Sequence, residues 1–235
     1  MWFINSDVRI GDSGILEGFT DYHCHLLPGV DDGVDRGKET LNILSLWEGC
    51  GVRKVYLTPH IMEDIPNKTS DLKERFEKLK TEYGGRIELH LAAENMLDGI
   101  FTRRLEAHDL LTLQDSRHIL VETSYFNPPY DLRGILDSIL HKGYFPVLAH
   151  PERYQYMDER NYRELKSMGI LFQLNFPSLV GAYDEIVKKK AEMLLEKGYY
   201  DLCGTDTHNI DFARFFVGAK IKKKVLKRVR QLLEK

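Results

Sequence analysis

Six short apolar runs in this chain each stop at, or just before, a histidine, an aspartate or a glutamate. The first, residues 19–25 (Phe-Thr-Asp-Tyr-His-Cys-His), ends in the pair His23 and His25. Residues 53–58 lead to Pro59-His60, residues 86–93 to Glu94, and residues 118–121 to Glu122. Residues 144–149 lead to His150, and residues 199–204 to Thr205-Asp206-Thr207-His208. Side chains alternate along a strand, so His23 and His25 share one face and Cys24 takes the other, where a packing role is expected. Between the runs lie stretches with helical character: 69–83, with Ser70 as a candidate cap, then 131–141, 162–168 and 184–197. The last three stop at Gly143, Gly169 and Gly198, a common C-terminal signal. Residues 170–175 read as one more strand, and the tail from about Asp211 to Lys235 as one long helix.

Alternating strands and helices imply parallel strands joined by right-handed crossovers. About seven such units within 235 residues fit a closed or nearly closed α/β barrel, TIM-like, as a single domain over 1–235. Residues 1–18 would be an N-terminal extension, an added turn or edge strand, and 211–235 a C-terminal helix. A barrel gathers the C-terminal ends of its strands on one mouth. An open doubly wound sheet would spread the same polar residues along an edge.

The net charge of −3 predicts no whole-chain field for a polyanion. No apolar run approaches the ~20 residues of a membrane-spanning helix. Residues 1–7 lack the basic start and apolar core of a signal peptide, and three cysteines without a CxxC motif fit a reducing compartment. A cytoplasmic protein is expected.

Hydrolysis of a phosphate ester needs an activated water and neutralisation of the phosphoryl oxygens, and clustered divalent metals provide both. Imidazole and carboxylate ligands suit zinc, manganese or iron. The candidate ligands are His23, His25, Asp32, His60, Glu94, Glu122, His150, Asp206 and His208, enough for two or three metals. Each has a plainer explanation. A single histidine at a strand end is more often hydrogen-bonded than metal-bound, a glutamate can cap a helix or join an ion pair, and Asp31 and Asp32 can simply build the turn before Gly33. Regular placement at strand ends is what favours the joint reading. His90, His108, His118 and His141 lack that placement, although His90 shares a strand face with Ala92 and Glu94.

Arg153, three residues after His150, is a candidate for orienting a phosphoryl group, against a plainer salt bridge with Glu152 or Glu159. The basic segment 220–230 suits either nucleic acid or, more simply, a solvated helix face with Ile221, Val225, Val229 and Leu232 packed inward. The loop 125–130 (Tyr-Phe-Asn-Pro-Pro-Tyr) suits either a wall for a ring-bearing substrate or a rigid connection.

Several motifs together resemble the polymerase and histidinol phosphatase (PHP) superfamily. Within it, the chain is similar to the bacterial manganese-dependent protein-tyrosine phosphatases of capsule and exopolysaccharide loci. The matching segments are Asp21-Tyr-His-Cys-His25, Leu27-Pro-Gly-Val-Asp-Asp-Gly33, Leu57-Thr-Pro-His60, Ala93-Glu94 and Val121-Glu122. Leu148-Ala-His-Pro-Glu-Arg-Tyr154 and Gly204-Thr-Asp-Thr-His208 complete the set. The resemblance implies a distorted (β/α)₇ barrel of PHP type with a trinuclear metal site. His23, His25, Glu94 and Asp206 would hold one metal. Glu94, Glu122 and His150 would hold a second, with Glu94 bridging, and Asp32, His60 and His208 a third. His150 and Asp206 would be indispensable to turnover, and Arg153 would grip the phosphate. Water activated by the metals would be the nucleophile, in keeping with the lack of an Arg six residues after any cysteine. The implied substrate is a tyrosine-phosphorylated protein, the tail of a bacterial tyrosine kinase controlling polysaccharide export. Manganese is the implied metal, with iron or zinc as alternatives. Asn95, and Thr205-Asp206-Thr207-His208 in place of the commoner Ser-Asp-Ala-His, depart from the family without removing a ligand. A small-molecule phosphatase of the histidinol-phosphate type shares the ligands, and a non-catalytic regulatory barrel is the remaining alternative.

Overall fold

The computed structural model describes residues 7–113 and 116–234. In chain order its elements are β1 (Asp7–Arg9), β2 (Thr20–Cys24), α1 (Gly37–Gly49), β3 (Lys54–Leu57), β4 (His60–Ile61) and α2 (Thr69–Glu82). Next come β5 (Glu88–Leu91), β6 (Glu94–Met96), α3 (Gly99–Glu106), β7 (His118–Glu122), α4 (Leu132–His141) and β8 (Phe145–Ala149). The chain closes with α5 (Glu159–Ser167), β9 (Leu171–Asn175), α6 (Glu185–Glu196), β10 (Leu202–Gly204), α7 (Ile210–Gly218), β11 (Lys220–Lys222) and α8 (Lys223–Leu233).

Two parallel sheets, β2-β3-β5 and β10-β9-β8-β7-β6-β4, form the barrel wall. β4 continues β3 past Thr58-Pro59, and β6 continues β5 past Ala92-Ala93, so the wall has seven staves. The wall closes where β10 meets β2. The Thr205 and Asp206 N–H groups donate to the His23 carbonyl, and the His25 N–H donates to the Thr207 carbonyl at 2.9 Å. Asp21, buried, adds a side-chain clasp by accepting from the Thr205 N–H (2.8 Å) and hydroxyl (2.6 Å). At this seam Gly204 is obligatory, because a Cβ there would lie 2.5 Å from the His23 Cβ.

Strand alternation sorts the side chains. Tyr56, Ala92, Leu120, Val147 and Ala149 fill the lumen, while Val55, Leu57, Ala93, Ile119, Val121 and Leu148 face the helices. Trp47 of α1, Phe101 of α3, Leu136 of α4 and Leu194 of α6 cover that outer face and are almost fully buried. Each such side chain contributes about 1.5–3 kcal/mol of burial energy. Five helices, α3 to α7, start on Asp or Asn caps whose side chains accept from the first turn: Asp98, Asp131, Asp158, Asp184 and Asn209. Helix α2 starts instead behind Lys68, without a side-chain cap. Ser70 lies one residue inside α2 and donates to Asp71, so the expectation that it caps the helix fails.

The expected long C-terminal helix over 211–235 is also corrected. The chain leaves α7 through an extended Ala219 and forms β11, which pairs antiparallel with β1, before α8 begins. Pairing with the N-terminal segment buries Ile221 in a strand, and that tertiary contact overrides the helical spacing of the basic run. Helix α8 then buries Leu226, Val229 and Leu232 and leaves Lys223, Lys224, Lys227 and Arg230 in solvent. Residues 1–6 of the expected N-terminal extension lie outside the described residues.

Candidate metal centre

Alternation on β7 puts Glu122 on the lumen face with Leu120, and on the β5–β6 stave it puts Glu94 in line with Ala92. Three others, His23, His25 and His150, reach the lumen by local distortion. A register shift between Asp21 and Cys24 of β2 rotates the strand, so that Tyr22 packs with the lumen side chains and His23 and His25 face in above it. Bulges commonly re-aim side chains beside functional sites. On β8, Ala149 already faces in, so regular alternation would send His150 outward. Its left-handed backbone (φ 33°) turns the ring back to the mouth. Asp206 is also left-handed (φ 53°). Non-glycine residues pay for this conformation, and they cluster at functional sites.

All nine expected ligands meet at the mouth. Glu94 is central: its Oε2 lies 3.1 Å from His23 Nε2, 3.2 Å from His25 Nε2 and 3.2 Å from His60 Nδ1, and its Oε1 lies 2.9 Å from His150 Nε2. Asp206 Oδ1 lies 3.4 Å from both His23 and His25 and 3.6 Å from His208. Glu122 Oε1 lies 2.9 Å from His60, and Asp32 Oδ1 stands 3.6 Å from His60 and from His208. Ligand atoms converge in three groups: His23, His25, Glu94 and Asp206; His60, Glu94 and Glu122; and His25, Asp32, His60 and His208. The first matches the expected set. In the second His60 replaces His150, which touches Glu94 but stands 4.0 Å from Glu122, and the third gains His25.

The donor chemistry fits divalent cations. The Nδ1–H of His23 donates to Gln173 Oε1 (2.9 Å), that of His25 to Asp31 Oδ2 (2.7 Å), and that of His208 to the Asp206 carbonyl (2.8 Å). With Nδ1 protonated, each neutral ring turns its Nε2 lone pair toward the cluster. His23 and His25 then bring two lone pairs to 3.1 Å of each other, an arrangement that requires positive charge between or beside them. Glu94 Oε2, Glu122 Oε1 and His60 Nδ1 are buried without a hydrogen-bond partner among the described residues, as atoms set aside for a cation would be. Without metal, protons supply the charge. Burial disfavours charged His23, but the Glu94 and Asp206 carboxylates outweigh it and push its pKa up to about 9. Burial likewise opposes ionised Glu94 and Asp206, yet the surrounding imidazoles hold both well below the usual carboxylate range. Hydrogen bonding to His208 draws Asp32 down to about 2.

Four supporting residues lie outside the expected ligand set. Asp31 does more than build the turn: it orients His25 and also accepts from the His60 N–H (3.0 Å). Gly33 closes that turn so tightly that a Cβ would lie 2.2 Å from the His25 carbonyl oxygen. Gln173 orients His23, and alternation with the lumen-facing Leu171 was its only signal. Tyr183 had none.

Arg153 makes neither of the salt bridges weighed from sequence. Its Nη1 donates to Asp206 Oδ2 (2.7 Å), an oxygen also reached by Asn175 Nδ2 (3.1 Å) and the Tyr183 hydroxyl (3.4 Å). Asp206 therefore turns one oxygen to the histidines and the other to Arg153. The guanidinium packs on the rings of Tyr125 and Tyr183, each 4.4 Å away. The other histidines stay apart. His90 stacks on Tyr56 (4.7 Å) and bonds Glu88, deeper toward the N-terminal end of the barrel. Cys24 is buried as expected, with its thiol donating to the Tyr56 carbonyl.

Residues 19–228 match the family model described as "Capsular polysaccharide synthesis, CpsB/CapC". The tyrosine-protein phosphatase CpsB of Streptococcus pneumoniae is 30% identical over 210 residues, covering 81% of this chain and 83% of its own. The tyrosine-protein phosphatase YwqE of Bacillus subtilis is 28% identical over 201 residues, covering 83% and 79%. Among solved structures, one described under YwqE from B. subtilis and CpsB from S. pneumoniae, "unique metal-dependent tyrosine phosphatases", superposes with a TM-score of 0.78 at 23% identity, over 91% of this chain and 86% of that one.

Proposed function

Because the chain belongs to the CpsB/CapC family of capsular polysaccharide synthesis proteins, we propose that it is a metal-dependent protein-tyrosine phosphatase, the activity its relatives are named for. The observation that carries this reading is the convergence of nine histidine, aspartate and glutamate side chains beside Arg153 at one barrel mouth. His23, His25, Glu94 and Asp206 would hold one cation. Glu94 and Glu122, with His60 and His150 beside them, would hold a second. His25, Asp32, His60 and His208 surround a third position. When bound, divalent cations lower the pKa of water and offset charge on phosphoryl oxygens.

The chain's own residues do the rest. Gln173, Asp31 and the Asp206 carbonyl fix the imidazole tautomers, so the site needs no reorganisation to accept its cations. Arg153 spends one N–H on Asp206 and keeps the others for phosphoryl oxygens. Arg153→Ala should lower kcat/KM about 10²–10³-fold, in line with loss of one preorganised donor in a hydrolase, and a wild-type value would remove its role. Manganese is the proposed native metal, with iron and zinc sharing the ligand preference. The substrate is a phosphotyrosine-bearing protein, and the family resemblance points to the tail of a tyrosine kinase of polysaccharide synthesis, met in the cytoplasm. No helix of the described residues is long and apolar enough to cross a membrane.

The test is phosphate release by Mn²⁺-loaded protein from a phosphotyrosyl peptide, with histidinol phosphate alongside. Chelator-sensitive turnover of the peptide supports the reading. Preference for histidinol phosphate keeps the site but assigns a small metabolite, and silence on both with metal bound leaves a regulatory barrel.

A further inference from the structure

Large apolar side chains that face solvent singly are ordinary on a protein surface. Among the described residues the three most exposed are Tyr130, which is fully exposed, Ile186 at 68% and Phe126 at 64%. They are not scattered. Phe126 and Tyr130 follow Tyr125 by one and five residues, and Ile186 follows Tyr183 by three. Tyr125 and Tyr183 are the two rings packed on Arg153. The most exposed apolar groups therefore sit on the two segments that deliver a ring to the phosphate-gripping arginine.

A groove of about 300 Å³ opens beside Tyr130, between the Tyr125 loop and α5. Pro128, Pro129, Tyr130, Leu132, Tyr156 and Leu165 line it. Tyr156 packs on Tyr154 (5.7 Å between ring centres), and Tyr154 stacks on Tyr125 (6.2 Å), so contiguous rings link the groove to Arg153. The charges at the groove are largely spent: Arg133 pairs with Glu164 at 2.6 Å, and Asp131 caps α4.

We propose that this rim binds apolar, above all aromatic, side chains that flank the phosphotyrosine in the substrate chain. The inference rests on the phosphotyrosine reading above and adds the sequence context that the enzyme prefers. A phosphotyrosyl side chain inserted toward Arg153 leaves its own backbone at the mouth. An extended peptide advances about 3.3 Å per residue, so neighbours within three positions stay within about 10 Å of it. Phe126, Ile186 and the groove are the surfaces they meet there, and burial of apolar side chains on them favours binding.

The test uses metal-loaded enzyme and two peptides carrying a non-hydrolysable phosphotyrosine analogue, one flanked by Phe and Leu, the other by Ser and Gly. Fluorescence anisotropy gives the ratio of their Kd values. Wild type should bind the apolar-flanked peptide about tenfold more tightly, the value of burying one large apolar side chain. Phe126→Ser with Ile186→Ser should bring that ratio close to one without lowering the melting temperature. A wild-type ratio near one, or a ratio the double substitution leaves intact, overturns the proposal. So does a dimer, seen by light scattering, that the same substitutions dissociate, since the rim would then serve a second copy of the chain. Phosphotyrosine itself is run as a substrate in parallel. Its turnover by wild type isolates a failure of the rim, whereas its absence means that the phosphotyrosine reading has failed.

Discussion

At the barrel mouth five imidazoles crowd around Glu94 and Asp206, and at the other end of the same lumen His90 lies flat on Tyr56 and bonds the exposed Glu88. Both regions are built from strand residues facing one interior. At the mouth Glu94 Oε2 and Glu122 Oε1, which lack a hydrogen-bond partner among the described residues, point at ring nitrogens, and several rings are fixed by a second acceptor behind them. The deeper ring is held by stacking, in a Tyr22–Tyr56–His90 column, and by its bond to Glu88. Facing the lumen therefore does not make a histidine a ligand. What sets the mouth histidines apart is convergence with carboxylates, together with an acceptor that fixes the tautomer.

The largest expected effect tests the mouth directly. His150→Ala and Asp206→Ala should each reduce phosphotyrosyl peptide turnover to background. His150 is the inward-turned contact to Glu94, and Asp206 joins the histidines to Arg153. Retained turnover in either variant, measured with saturating metal, would reduce the mouth to the status of the deeper stack.

Chelation should come next. Metal bound at about 100-fold above its Kd adds about 2.7 kcal/mol, so exhaustive removal should lower the melting temperature by about 5–10 °C for a domain of this size. The pH dependence sharpens this. In the metal-free protein the His23 pKa is raised to about 9 from an ordinary value of 6.5. The stabilisation from its proton is complete below the ordinary value and is lost as pH rises through about 9. Between pH 7 and 9 the chelated protein should therefore lose stability relative to the loaded one, and the gap between the two melting temperatures should widen. A gap that stays constant across that range would show that protons and metal do not compete at His23.

A smaller loss is expected from Asp31→Asn, which keeps the turn but replaces the carboxylate behind His25 with an amide. Loss of such a supporting partner typically costs 10–100-fold in metal affinity. Titration of chelated protein with Mn²⁺ would read it out, and unchanged affinity would mean that His25 needs no orienting acceptor.

The sequence makes the mouth legible and its supports obscure, for a physical reason. Glu94 and Glu122 extend an undistorted period of two from Ala92 and Leu120, so their side is readable from spacing. His150 points inward only through a left-handed backbone, and His23 through a register shift in β2, and no spacing rule records either. His23 and His25 nevertheless share one face, as a period of two requires, with their Nε2 atoms 3.1 Å apart. Gln173 and Tyr183 act across the barrel, on His23 and Arg153, so their roles are properties of the closed wall. The C-terminal segment shows the same limit in the fold. Its apolar spacing is helical through Ile221, but β1, more than two hundred residues earlier, captures that residue into a strand. Helix α1 carries no clear start signal either, since the residue before it is Arg36, without a side-chain cap, and α3, although capped by Asp98, is a short helix of eight residues.

The smallest effect should come from the other end of the lumen. His90→Ala removes one stacked ring from Tyr56 and one hydrogen bond to a half-exposed Glu88. A stacked pair is worth about 0.5–1.5 kcal/mol beyond its buried area, which corresponds to a few degrees of melting temperature. Metal affinity and kcat/KM should stay within about twofold of wild type, because no atom of His90 belongs to a group of ligand atoms at the mouth. Two strand steps separate His90 from Glu94, with Ala92 between them on the same face. A loss of metal in this variant would mean that the Tyr56 column sets the height of Glu94 through β5 and β6. The two ends of the barrel would then be one mechanical unit. Retention of metal with a small loss of stability would leave the mouth anchored by its own seam at His23 and Thr205.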